Sequence, residues 1–200
     1  MPNNALQNLI IAERVCNYVG QKMTKGASNK PIDLAHSKMR HDELPFYKRW
    51  FSSQDLASTS VDSQRVEVRN QGKNLPLSEL VFANARTVEA SGIGNCGEQA
   101  SVAFKYLCDQ KLSDKFCLAS LGHNHEFIII GANGQQVNGM QYIGVSPDWP
   151  VETVVCDPWY NEWFVVQTDW TRKIRSILKE TEPGWTQVQT QVRAIINGPV

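Results

Sequence analysis

The chain has 200 residues, 42% of them hydrophobic and 20% charged, and its 20 basic and 20 acidic residues leave a formal net charge of zero. Such a composition describes a globular chain long enough to bury a sizeable core in one domain, with room for a small appendage. The charge balance supplies no basic field to hold nucleic acid or an anionic membrane, so any partner must be recognised by local shape and chemistry.

The N-terminal stretch MPNNALQNLIIAERVCNYVG lacks a basic region followed by an unbroken apolar run, so no Sec signal is expected. Ile11, Val15, Tyr18 and Val19 fall at helical spacing, with Leu6, Leu9 and Ile10 ahead of them. They predict a first helix of about 15 residues. Residues 25–75 are less regular and read as short helices and loops. They hold GASNKP, a polar stretch from His36 to His41, and an aromatic patch of Phe46, Tyr47, Trp50 and Phe51. From Pro76, suited to a first turn, Leu77, Leu80, Val81, Asn84, Ala85 and Val88 trace one helical face that ends at Ser91-Gly92.

The next predicted helix begins at a cysteine. Cys96, Ala100, Ala103, Phe104 and Leu107 share one face, Asn95 suits the N-cap, and Gly94 and Gly97 let other backbone approach closely. Strands are predicted at 116–121, at 125–131 with His125, Phe127 and Ile129 on one side, at 140–145, at 153–157 and at 162–167. Ala132-Asn133-Gly134-Gln135 reads as a hairpin turn. Asp169 is expected to cap a helix bearing Trp170, Ile174, Ile177 and Leu178. The stretch from Trp185 to Ile196 fits a strand and a helix equally well. No apolar run reaches the length of a membrane span. Helices followed by a mainly antiparallel sheet make an α+β plan. A helical N-terminal part, residues 1–75, precedes a core of residues 76–200.

Cys96, His125 and Asp157 lie on a helix start and two strands, in the segments GNCGEQA, NHEFIIIG and VCDPW. A thiol needs such partners to act as a nucleophile. At a helix tip, exposed N–H groups and the positive dipole end favour thiolate and can cradle an oxyanion. The five cysteines, 16, 96, 108, 117 and 156, are odd in number and include no CxxC pair, which favours reduced thiols. Cys16, Cys108 and Cys117 read as core residues. Cys156 alternates with Asp157 and should face away from the site. His123 rivals His125, since it falls on the same side if the strand begins early, but the apolar alternation starts at His125. Asp157 before Pro158 also suits a turn.

The order Cys, His, Asp on these elements is similar to the papain-like superfamily. Within it, the three motifs between Gly94 and Trp163 most resemble transglutaminase-like cysteine enzymes of the bacterial effector type. The likeness covers about 70 residues, by three short motifs. The chain departs from animal transglutaminases, which carry Trp directly after the nucleophile where Gly97 stands here, and their large extra domains are not expected in it. The resemblance implies a nucleophile helix packed on the sheet, Cys96 attacking a protein amide to form a thioester, His125 shuttling protons and Asp157 orienting it. It implies Asn95 and Gly97 at the oxyanion site and Trp159, with Trp163, roofing the site against water. No cofactor is implied. Glutamine deamidation, transamidation and peptide cleavage share that thioester. A host-cell protein is the implied substrate, reached from the cytoplasm or through a specialised secretion machine. Two other readings stay open: a non-catalytic protein-binding module of the same fold, and a zinc site built from Cys96, His123, His125 and Asp157 or Cys156.

Overall fold

A computed structural model describes residues 3–27, 63–66, 68, 70, 75–113, 115–122, 125–137, 139–142, 147–181 and 189–198. The His36–His41 stretch, the aromatic patch at 46–51, His123 and Trp185 lie outside the described residues. So do 143–146, the end of the predicted third strand.

The chain is α+β. Helix α1 (Asn3–Lys22) is followed by α2 (Leu77–Ser91) and α3 (Cys96–Gln110). Then come β1 (Phe116–Leu121), β2 (His125–Ile130), the one-turn α4 (Gly134–Val137) and β3 (Gly139–Tyr142). Strands β4 (Val154–Asp157) and β5 (Glu162–Val165), helix α5 (Val166–Thr181) and β6 (Gln189–Asn197) complete the order. The strands form one six-stranded sheet, β3-β6-β1-β2-β4-β5, with every pairing antiparallel. No described helix is long and apolar enough to cross a membrane.

Helices cover both faces of this sheet, so its central strands are apolar on both sides. On one face, Ala12, Val15 and Val19 of α1, Val81 and Val88 of α2, and Ala103, Phe104 and Leu107 of α3 share a core with Leu118, Ile128 and Ile130. On the other, Trp170 and Ile174 of α5 pack with Trp149 on Ala119, Phe127, Ile129 and Val155. Phe104, 1% exposed, meets Phe116 ring to ring at 5.3 Å. Helix α1 thus belongs to the same core as α3, and its Asn8 amide also donates to the Glu152 carbonyl at 2.9 Å. Its buried stripe is narrower than the sequence suggested, because Leu6 and Ile10 are exposed.

The structure corrects four expectations. Asn133-Gly134 makes no hairpin. Gln136 N–H donates to Asn133 Oδ1 at 3.1 Å and Asn133 N–H to Gln136 Oε1 at 3.0 Å, a reciprocal cap that starts α4. Gly131, at φ +89, makes the bend, and β3 pairs with β6 rather than with β2. Pro76 is the N-cap of α2, with ψ at 150, rather than a residue of its first turn. Strand β5 stops at Val165 because the chain enters α5 at Val166. Asp169 therefore sits within the first turn of α5 and accepts from Arg172 at 2.5 Å instead of capping. The C-terminal stretch is the strand β6, paired with β1 and β3.

Candidate active site

The site forms where the tip of α3 meets the first residue of β2. The loop before α3 is tightly held. Gly92, at φ +73, ends α2 by returning its N–H to Val88. Lys25 N–H reaches the Gly92 carbonyl at 2.8 Å, Gly94 N–H reaches Gly26 O at 3.2 Å, and Ile93 bridges to Gly26. Gln99 Nε2 donates back to the Gly94 carbonyl at 2.9 Å. Asn95 caps α3 as expected, in a capping box with Glu98, whose Oε2 accepts from Asn95 N–H at 3.0 Å. Glu98 is buried and is clamped by Arg65 through two bonds of 2.7 and 3.0 Å. Asn-x-x-Glu before a helix is a legible capping signal that the sequence reading missed. Nothing in the sequence points to Arg65. The glycines admit side chains rather than backbone: a Cβ at Gly94 would meet Glu98 Cβ at 2.7 Å, and one at Gly97 would meet Glu126 Oε2 at 3.0 Å.

Cys96, half-buried, is the first residue of α3. His125 and Asp157 sit on neighbouring strands, β2 and β4, and their side chains meet: Nε2 to Oδ2 is 2.5 Å, with the groups 1% and 0% exposed. Asp157 Oδ1 accepts from Tyr160 N–H at 3.2 Å, and Asn161 N–H closes a turn on Pro158. Asp157 therefore both starts the turn and holds the imidazole. His125 shares the sheet face of Phe127 and Ile129, opposite the face on which α3 packs. It approaches Cys96 because both lie at the ends of their elements.

Burial works against a charged His125, but the Asp157 charge and its hydrogen bond, then Cys96 by hydrogen bond and charge, outweigh it. The imidazole pKa is raised from 6.5 to about 10. Nδ1, the ring nitrogen that Asp157 does not hold, is buried as well. Burial pushes the Cys108 thiol up to about 11 and the Cys117 thiol up to about 12. Cys156 rises as well, and it faces the opposite core, where its sulfur lies 3.5 Å from that of Cys16.

Trp159, 8% exposed, presents an edge to His125 at 5.8 Å between ring centroids, and Tyr160, which the sequence reading passed over, lies at 5.5 Å. Trp163 does not roof the site. It pairs with Cys156 across β4 and β5 and packs on the α1 side of the sheet. For the same reason Cys156 cannot join His125 and Asp157 around a metal. Among the described residues no group of three or more His, Cys, Asp or Glu is arranged to hold one. A cleft of about 620 Å³ opens on Cys96, Gly97, Glu98 and Glu126.

No protein-family model matches the chain, and no curated protein matches it.

Proposed function

We propose that the chain is a cysteine-dependent acyl-transfer enzyme of the transglutaminase-like, papain-like kind, acting on an amide in a protein substrate. The observation that carries this reading is a buried His125–Asp157 pair beside a thiol at a helix tip. A protonated imidazole is the cation a thiolate requires, and Asp157 keeps it protonated through neutral pH. In this mechanism the Cys96 thiolate attacks the amide carbonyl. The tetrahedral oxyanion lies against backbone N–H groups of the first turn of α3, Cys96 and Gly97 among them. The Asn95 side-chain oxygen is taken up by the helix cap, where it accepts from the Glu98 backbone N–H. Collapse to a thioester expels ammonia or an amine, which takes its proton from His125. Neutral His125 then removes a proton from the incoming water or amine, and the thioester is resolved. Trp159 and Tyr160 shield the imidazole from solvent and limit its motion.

Glutamine deamidation or transamidation is the first choice among the outcomes of that thioester, ahead of peptide-bond cleavage. A host protein as substrate rests on the three-motif resemblance alone. The test is intact-mass analysis of a disordered, glutamine-containing protein incubated with the chain and with Cys96→Ala. A gain of about one dalton per event, absent with the variant, is the expected result. Fragments or ammonia-releasing adducts, again Cys96-dependent, would keep the mechanism and change the reaction. A substrate change that survives in Cys96→Ala overturns it.

A further inference from the structure

The cleft beside Cys96 carries one acid that no described residue bonds directly. Among the described residues its carboxylates are Glu98 and Glu126. Glu98 is neutralised by the two-bond Arg65 clamp. Glu126 follows His125 on β2 and points to the opposite side of the sheet, toward α3. Its carboxylate lies against the backbone of Gly97, 3.0 Å from where a Cβ would stand. Any larger residue after the nucleophile would have to displace it. Among the described residues Glu126 makes neither an ion pair nor a hydrogen bond. The groups that act on it are Glu98, His125 and Arg65: burial and then Glu98 raise its pKa, while His125 and Arg65 lower it. Leu77, Leu80, Val81 and Leu118 give the cleft an apolar wall, beside the polar Asn84 and Ser101 and the Arg65 already engaged by Glu98. A partly desolvated carboxylate in such a cleft gains most from a cation brought by the occupant.

We propose that the cleft takes a segment of protein substrate bearing an ammonium or guanidinium group next to the reacting amide, and that Glu126 selects it. This deepens the nucleophile reading of Cys96 and rests on it. The apolar walls seat the stem of a lysine or arginine side chain while Glu126 meets its charged end. A substrate with an acidic neighbour at that place is repelled.

The test measures mixed-disulfide formation at Cys96 in the full chain at pH 8. The probes are cationic 2-aminoethyl, neutral methyl and anionic 2-sulfonatoethyl methanethiosulfonate, with each rate divided by that on 2-mercaptoethanol and Cys96 read by peptide mass. The cation-to-anion ratio is expected to exceed one. Glu126→Gln, which keeps the side-chain shape, should lower it about threefold or more while the neutral reagent reacts as before. In the unaltered protein, raising salt should narrow the ratio, an outcome that needs no folded variant. A ratio unmoved by both the substitution and salt, with normal neutral-reagent reactivity, overturns the role of Glu126 alone. A Cys96 that reacts with the neutral reagent no faster than the buried cysteines brings down the nucleophile reading, and this proposal with it.

Discussion

Asp157→Asn removes one charge from the site and keeps nearly every atom in place. In the native chain the carboxylate lies 2.5 Å from His125 Nε2, and both side chains are shut off from water. Without the charge, the largest influence left on the imidazole is burial, which favours its neutral form. His125 should then titrate at or below 6.5 instead of at about 10. A displacement of that size corresponds to on the order of 5 kcal/mol of preference for the proton. Removing one member of a buried pair destabilises proteins by about 3–5 kcal/mol. The loss near neutral pH should fall toward the low end of that range, because the ring can escape by deprotonating. The assay is an NMR titration of the imidazole resonances, with His125 assigned by its absence in His125→Gln, alongside urea unfolding at pH 7. A native His125 that titrates near 6.5, or one that moves by less than about one unit in Asp157→Asn, refutes the claim that the carboxylate holds the proton.

The same pair sets a pH dependence of stability. His125 binds its proton more tightly folded than unfolded, so its contribution is fully present below about 6.5 and is lost as pH rises through about 10. The melting temperature of the native chain, minus that of Asp157→Asn, should shrink steadily over that window; a flat or rising difference contradicts it. Gly131→Ala should destabilise by about 2 kcal/mol or more in chemical unfolding, since φ is +89 and the new Cβ would meet Asn8 Nδ2 at 2.6 Å and the Glu152 carbonyl at 2.9 Å. A loss below about 0.5 kcal/mol would show that the bend relaxes freely. Glu98→Ala removes the acid of the capping box and its two bonds from Arg65, which should lower stability by about 1–2 kcal/mol. It should also slow Cys96 alkylation, because the helix tip loses its anchor. Unchanged alkylation would mean that the tip is held by the loop alone.

The periodic features of the sequence carried over well into structure. The spacing from Cys96 to Leu107 foretold α3 and its buried face, and the alternation of His125, Phe127 and Ile129 foretold which side of β2 the imidazole takes. The same alternation put Cys156 behind Asp157, where it lies against Cys16. Choosing between Trp159 and Trp163 required the register of β4 against β5, which no local pattern contains. Asn133-Gly134 was ambiguous because asparagine before glycine serves a hairpin and a helix cap alike. Gln136, three residues on, decided for the cap. Glu126 escaped notice because its parity places it on the far face from His125, and only the packing of α3 makes that face part of the cleft. Arg65 reaches Glu98 from 33 residues away in sequence, a tertiary contact with no short-range signature.

Helix α1 stands directly behind the strand that carries the carboxylate. Cys16 and the Ala12 carbonyl contact Cys156, the residue before Asp157. A protein trimmed to begin at residue 76 would keep Cys96, His125 and Asp157 and still expose Val154, Cys156 and Val165 to water. Helix α1 is thus a buttress for the strand that presents Asp157, and a change far from the thiol can loosen the grip of that carboxylate on His125 by letting β4 sag.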